Sequence, residues 1–243
     1  MNRIGSYTFS IEAGDVDIFG KYPLPVLVRK MLDCAGYHAD ERGWGLRHLN
    51  AGNCSWVLAR AAIELENFPE IYDQIVIQTW VEDLNKHFST RNFSFQNQKG
   101  EILGYARTVW SMIDLNTRKA VDLTVVSDIS NHKVDKECPI DKPGKIGIVS
   151  CEPEYFHDVK YSDLDINGHV NTCKYVEHII NLFSSGIEQI VVLKRFDVTF
   201  LSESKLGDRL HFHRATASDH ETQIEITGHN SRSICRAKIT FKK

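Results

Sequence analysis

Polar and apolar residues alternate along this chain with two periods, and the periods take turns in a fixed order. Leu24, Leu27, Val28, Met31, Leu32 and Ala35 recur at the i, i+3, i+4, i+7 spacing of one helix face, as do Val176, Ile179, Ile180 and Phe183. After each stripe the period falls to two. Ile75, Ile77, Thr79 and Val81 share one face of Asp73–Val81, and Phe196, Val198 and Phe200 share a face in the second half. Near the end Cys235, Ala237, Ile239 and Phe241 alternate with Arg236, Lys238 and Thr240, as a sheet with one wet face requires. Each half thus reads as a short strand, a long apolar helix and about four longer strands, most simply packed as a sheet wrapped around the helix.

The order repeats because the sequence does. Shifted by 148 residues, Asp15-Val-Asp17-Ile18-Phe-Gly20 falls on Asp163-Leu-Asp165-Ile166-Asn-Gly168, and Val28, Met31, Leu32 and Ala35 fall on the second helical stripe. The stretch from Asn116 to Ser150, with Pro139, Pro143, Gly144 and Gly147, carries little periodicity. The expected organisation is a first unit over 1–116, a linker over 117–150 and a second unit over 151–243.

Composition narrows the options. A chain of 243 residues holds two units of roughly 120, each able to bury a core. With 42% apolar and 25% charged residues and a net charge of −3, the totals suggest neither disorder nor a nucleic-acid or anionic-membrane partner. No stretch approaches about 18 consecutive apolar residues, so no membrane span is expected; Met1 to Ser10 lacks the pattern of a signal or transit peptide. Cys34, Cys54, Cys138, Cys151, Cys173 and Cys235 are scattered without CxxC, which reads as reduced thiols in the cytoplasm.

The candidate chemistry sits where the second half's opening strand leads into its helix. Asp165, Asn167 and His169 are two apart, so an extended backbone points all three the same way. Gly168 allows a sharp turn, and either Asn167 or Asn171 caps the helix. Unpaired amides at that helix start would favour developing negative charge. Taken alone, Asp-x-Asn-x-His serves equally well as a capped turn. His211-x-His213 shares a strand face with Arg209 but lacks a third ligand, and reads as a solvated polar face. Trp56, Trp80 and Trp110 read as core or sheet-face residues, with a tunnel lining as the alternative.

A helix wrapped by an antiparallel sheet, twice in one chain, resembles the tandem (double) hotdog, an α+β arrangement. Asp165-Ile-Asn167-Gly-His169-Val-Asn171-Thr-Cys-Lys-Tyr175 resembles the DxNxHVNxxxY signature of the acyl-ACP thioesterases of plants and bacteria. Asn53-Cys-Ser-Trp56-Val-Leu-Ala-Arg60, Tyr105-Ala-Arg107-Thr-Val-Trp110-Ser-Met112 and Asn116-Thr-Arg118 resemble that family's first-half landmarks in the right order. The plant members' long targeting extension is missing, which suggests a bacterial-type member.

The resemblance implies hydrolysis of fatty acyl thioesters carried on the phosphopantetheine of acyl carrier protein, releasing free fatty acid and ending fatty acid synthesis. It implies no cofactor and no metal. It also implies roles: Glu203, in the position of the family's glutamate, activates water, Asn167 and His169 orient water and thioester, and Asp165 fixes that pair by hydrogen bonds. Plant members usually carry cysteine after the glutamate. Here Ser204 stands there, and a hydroxyl ionises far less readily than a thiol of pKa about 8.5, which favours direct attack by water.

Under the shift, Asn167 corresponds to Phe19 and His169 to Lys21. Aligning Asp208 with Asp73 sets Glu203 opposite Phe68. The first half has lost the polar set and is expected to hold the acyl chain. Lys194 and Arg195, with Lys160 and Lys174, form either a basic patch for the acidic carrier protein or ordinary surface charge. An acyl-CoA thioesterase or a hotdog dehydratase remains an enzymatic alternative, and a non-catalytic acyl-binding module one of a different class. Whether the chain stays single or forms a homodimer is open.

Overall fold

The computed structural model describes residues 3–125, 129–183 and 192–242. The chain divides into two compact units, Met1–Pro143 and Gly144–Lys243. The first contains β1 (Gly5–Ser10), α1 (Leu24–Asp40), the short α2 (Leu46–Ala51), β2 (Cys54–Leu65), β3 (Gln74–Leu84), β4 (Ser89–Asn97) and β5 (Ile102–Asp114). Its strands pair antiparallel in the order β1-β3-β4-β5-β2.

Helix α1 begins on Pro23, with Pro25 in its first turn, where a missing amide proton costs nothing. It buries Leu24, Leu27, Val28, Met31, Cys34 and Ala35 where it packs on β1 and β3, the stripe expected from the sequence with Leu32 left half-buried. Each leucine, valine or methionine among them contributes about 1.5–3 kcal/mol when withdrawn from water. Ile75, Ile77, Thr79 and Val81 of β3 lie buried, as the alternation predicts.

Trp80, on the opposite face of β3, is also fully buried. Residues 117–143 supply the reason; of these, 126–128 lie outside the described residues. Cys138 and Ile140 pack on Trp80 and Ala62, the Trp80 Nε1–H donates to the Lys136 carbonyl at 2.9 Å, and Arg107 donates to the Ile140 carbonyl at 3.0 Å. This stretch covers the outer face of the first sheet.

The second unit contains β6 (Tyr155–Asp158), α3 (Thr172–Asn181), β7 (Leu193–Phe200), β8 (Arg209–Ser218), β9 (Glu221–Thr227) and β10 (Ser233–Phe241). Its order, β6-β8-β9-β10-β7, repeats that of the first unit strand for strand. Helix α3 buries Tyr175, Val176, Ile179 and Ile180, and its rings meet the strands at Tyr175–Phe200 (6.1 Å) and His178–Phe212 (5.9 Å). The wet and dry faces of β10 follow the predicted alternation, with Cys235, Ala237 and Ile239 buried. Buried Glu225 accepts from Ser233, Arg236 and the Val149 amide, tying residues 144–150 to this sheet. Each unit is a hotdog, a helix wrapped by an antiparallel sheet. All six cysteines carry free thiols, and among the described residues no helix is long and apolar enough to cross a membrane.

Candidate active site

The segment from Asp165 to His169 is a closed loop rather than the extended run expected from its spacing. Leu164 pairs with Val170, and the Asp165 amide donates to the His169 carbonyl at 2.8 Å. The Asp165 carboxylate then accepts the amides of Asn167 at 2.8 Å and His169 at 3.1 Å, with the Asn167 side-chain amide at 3.4 Å. Gly168 turns the corner at φ 75°, a conformation that a side chain disfavours. Asp165 therefore points into its own loop, while Asn167 projects outward and exposed.

Asn171, not Asn167, caps α3, accepting the Cys173 amide at 2.9 Å. The Lys174 amide returns to the Asn171 carbonyl, and the Asn171 amide donates to Asp163. The helix start therefore offers fewer unpaired donors than the sequence suggests.

Glu203 arrives from the far end of β7. The His169 backbone bridges to Lys205, and the Val170 amide donates to the Ser204 carbonyl at 2.9 Å, so strand end and loop are sewn together. This brings the Glu203 carboxylate to 3.4 Å from His169 Nε2, with side chains 39% and 18% exposed. Both groups are thus reachable by water yet partly withdrawn from it, which strengthens their coupling. Arg232 anchors the Glu203 carbonyl at 2.5 Å. Ser204 is 1% exposed, and its side chain neighbours the buried Tyr175 hydroxyl, whose pKa burial raises to about 12.

The first unit repeats this backbone without its polar side chains. Asp17 accepts the amides of Phe19 at 2.9 Å and Lys21 at 3.0 Å, and Gly20 turns at φ 70°. Lys21 bridges to Glu70 through backbone and side chain, and the Tyr22 amide donates to the Pro69 carbonyl.

What the first unit has instead is a cleft lined by Leu32, Ala35, Ala39, Trp44, Trp56 and Trp110 among others. The cleft also contains Arg91, buried and donating to His38 Nδ1 at 3.1 Å and to Thr79 at 3.2 Å. His38 Nε2 donates to the Arg3 carbonyl, so this imidazole is neutral; burial, then Arg91, pushes its pKa down to about 3. Trp80 is not at the cleft. Trp44 and Arg91 carried no sequence signal, because Trp44 lies in the irregular turn past α1 and Arg91 is a charged residue on the face of β4 that it shares with buried Phe93 and Phe95. Two of the four basic-patch residues are already paired, Arg195 with Asp197 and Lys174 with Glu177. His213 is occupied by the Cys151 carbonyl and Thr227 and is no metal ligand here.

A hotdog built twice, with a histidine–carboxylate pair at only the second turn, defines a duplicated hotdog protein with a single polar centre. The chain belongs to the acyl-ACP thioesterase family: the profile of that family's N-terminal domain matches residues 5–131, and that of its C-terminal domain matches 151–243. An acyl-ACP thioesterase from Bacteroides thetaiotaomicron superposes with a TM-score of 0.93 at 41% identity, covering 99% of this chain and 98% of that one. The 12:0-ACP thioesterase from Umbellularia californica shares the fold, with a TM-score of 0.84 at 18% identity over 100% of this chain and 98% of its own. An Arabidopsis thaliana oleoyl-acyl carrier protein thioesterase is 22% identical over 72% of this chain and 51% of its own length. The chain matches between 32% and 57% of the length of such curated relatives.

Proposed function

We propose that the protein hydrolyses the thioester joining a fatty acyl group to acyl carrier protein, releasing the fatty acid and the carrier's thiol, in the cytoplasm. Glu203 takes a proton from water as the oxygen attacks the thioester carbon, and the proton passes to the departing sulfur. Help of this kind is worth about 10²–10⁴-fold in rate. His169 and Asn167 orient the water and the carbonyl, and Asp165 keeps both on a fixed loop. The observation that carries this reading is the 3.4 Å approach of Glu203 to His169, held by backbone bonds on either side. Ser204 is too buried to serve as nucleophile and acts through its carbonyl. The first unit's cleft, with its apolar and aromatic lining, takes the acyl chain.

The test is a hydrolysis screen of the purified protein over saturated acyl-ACPs and acyl-CoAs of graded length. Turnover of acyl-ACP at least tenfold above acyl-CoA is expected. Preference for the CoA series would make the chain an acyl-CoA thioesterase, and tight binding without turnover an acyl-binding module. Ala35→Phe, which narrows the cleft, should move the optimum to shorter chains, since each buried methylene is worth about 0.8 kcal/mol.

A further inference from the structure

We propose that His157, Asp163 and His178 form a binding site for one divalent transition-metal ion of the zinc type. The three come from β6, from the 3-10 turn Tyr161–Asp163 and from α3, and their ligand atoms all lie within 4.8 Å of one another. His157 Nε2 is 2.7 Å from Asp163 Oδ2, and His178 Nε2 is 3.7 Å from Oδ1. A tetrahedral ion with bonds of about 2.0–2.1 Å sets its ligands about 3.3–3.4 Å apart, so small side-chain shifts complete the set. Two imidazoles and one carboxylate suit zinc, iron, cobalt or nickel and not calcium or magnesium.

A hydrogen-bonded pair of His157 and Asp163 does not account for the third member. His178 is 8% exposed, yet among the described residues its Nε2 has no hydrogen-bond partner. Its ring lies 4.0 Å from that of His157, tilted by 40°. Burial, then the neighbouring His157, disfavours the charged form of this ring. Burial works against the Asp163 carboxylate, but the His157 hydrogen bond and the Lys160 amide at 2.8 Å outweigh it and keep it ionised. That amide and His157 both use Oδ2, so Oδ1 is left without a hydrogen bond among the described residues.

The duplicated scaffold does not itself call for two histidines. Phe9 pairs with Ile75 where His157 pairs with Leu210, and Lys30 holds the place of His178 on its helix. There the Lys30 ammonium sits 5.0 Å over the Phe9 ring, and Asp15 turns to Arg29. The same three positions are thus closed without a ligand set. An ion in the second unit would clamp the turn, strand and helix that flank the Asp165–His169 loop. The inference is independent of the hydrolase reading.

The test uses the full chain, stripped with a chelator and titrated with Zn²⁺ and Co²⁺. Equilibrium dialysis with elemental analysis should give one ion per chain, saturated at about 100 µM free zinc, with Tm raised by about 2–4 °C. His178→Ala, and His157→Phe with His178→Lys, which imports the first unit's pair, should weaken uptake at least a hundredfold. X-ray absorption of the zinc-loaded wild type needs no variant and should find two imidazoles around the ion. No uptake by the wild type, equal uptake by wild type and a folded variant, or a shell without imidazole would each overturn the proposal.

Discussion

The two turns that precede the helices are one piece of backbone used twice. Asp17 and Asp165 each accept the amides two and four residues ahead, and Gly20 and Gly168 turn at φ 70° and 75°. Glu70 and Lys205 each offer an amide to an aspartate three residues on, Asp73 and Asp208. The differences fall on side chains that this shared backbone-amide bonding does not use: Phe19 against Asn167, Lys21 against His169, Phe68 against Glu203. Where the first unit closes its turn with a Lys21–Glu70 ion pair, the second sets an imidazole beside a carboxylate. On the proposed roles, fold and chemistry rest on separate atoms of the same segment, and the chemistry is expected to be separable from the fold.

That separation can be broken deliberately. The largest effect is expected from importing the first unit's set, Asn167→Phe with His169→Lys and Glu203→Phe. Single-turnover hydrolysis of acyl-ACP should fall by about 10³-fold or more with circular dichroism unchanged, and Glu203→Gln alone by about 10²-fold or more. Retained turnover in the triple variant would end the assignment. Next come the two aspartates. Asp17→Ala and Asp165→Ala each orphan two amides, so both should lose about 1–3 kcal/mol in urea unfolding, but only Asp165→Ala should slow hydrolysis.

A smaller effect is expected in the first unit from pH. His38 is neutral when folded, with a pKa near 3, against about 6.5 unfolded. Above pH 6.5 both states are neutral and it contributes nothing; as pH falls from 6.5 towards 3 only the unfolded chain takes the proton. Stability of the first unit should fall by about 1.4 kcal/mol per pH unit in that window, and urea titrations of His38→Gln should show a flatter slope. The smallest change is expected of Ser204→Ala, which keeps the carbonyl that accepts from Val170; its turnover should stay within about threefold of wild type, whereas obligatory acyl transfer to the hydroxyl would cost about 10²-fold or more.

Helices α1 and α3 and strands β3 and β10 were legible because burial on one face imposes a period that survives in the residue order. The repeat was legible for the same reason, and it located the turn. The turn's shape was not: equal spacing of Asp165, Asn167 and His169 suggests a strand, but an aspartate followed by two amides in reach folds back on itself, and the Asx turn wins. The cleft's Trp44 and Arg91 meet through tertiary packing, with the guanidinium 5.3 Å from the ring, and no local pattern encodes that. His157, Asp163 and His178 stand too far apart in the chain to read as a ligand set. Only the wrapping of helix and strand around one turn brings them together.

The stretch after β5 carries a lesson for anyone who divides this chain. Homology places the end of the first repeat at 131, yet Cys138 and Ile140, which seal Trp80 and Ala62 from water, come later. A fragment cut at the homology boundary would bare an indole-bearing sheet surface, the kind of patch through which recombinant proteins clump. The family's domain boundary and the end of this cover fall at different residues, so a first-half fragment that keeps the cover runs past Ile140.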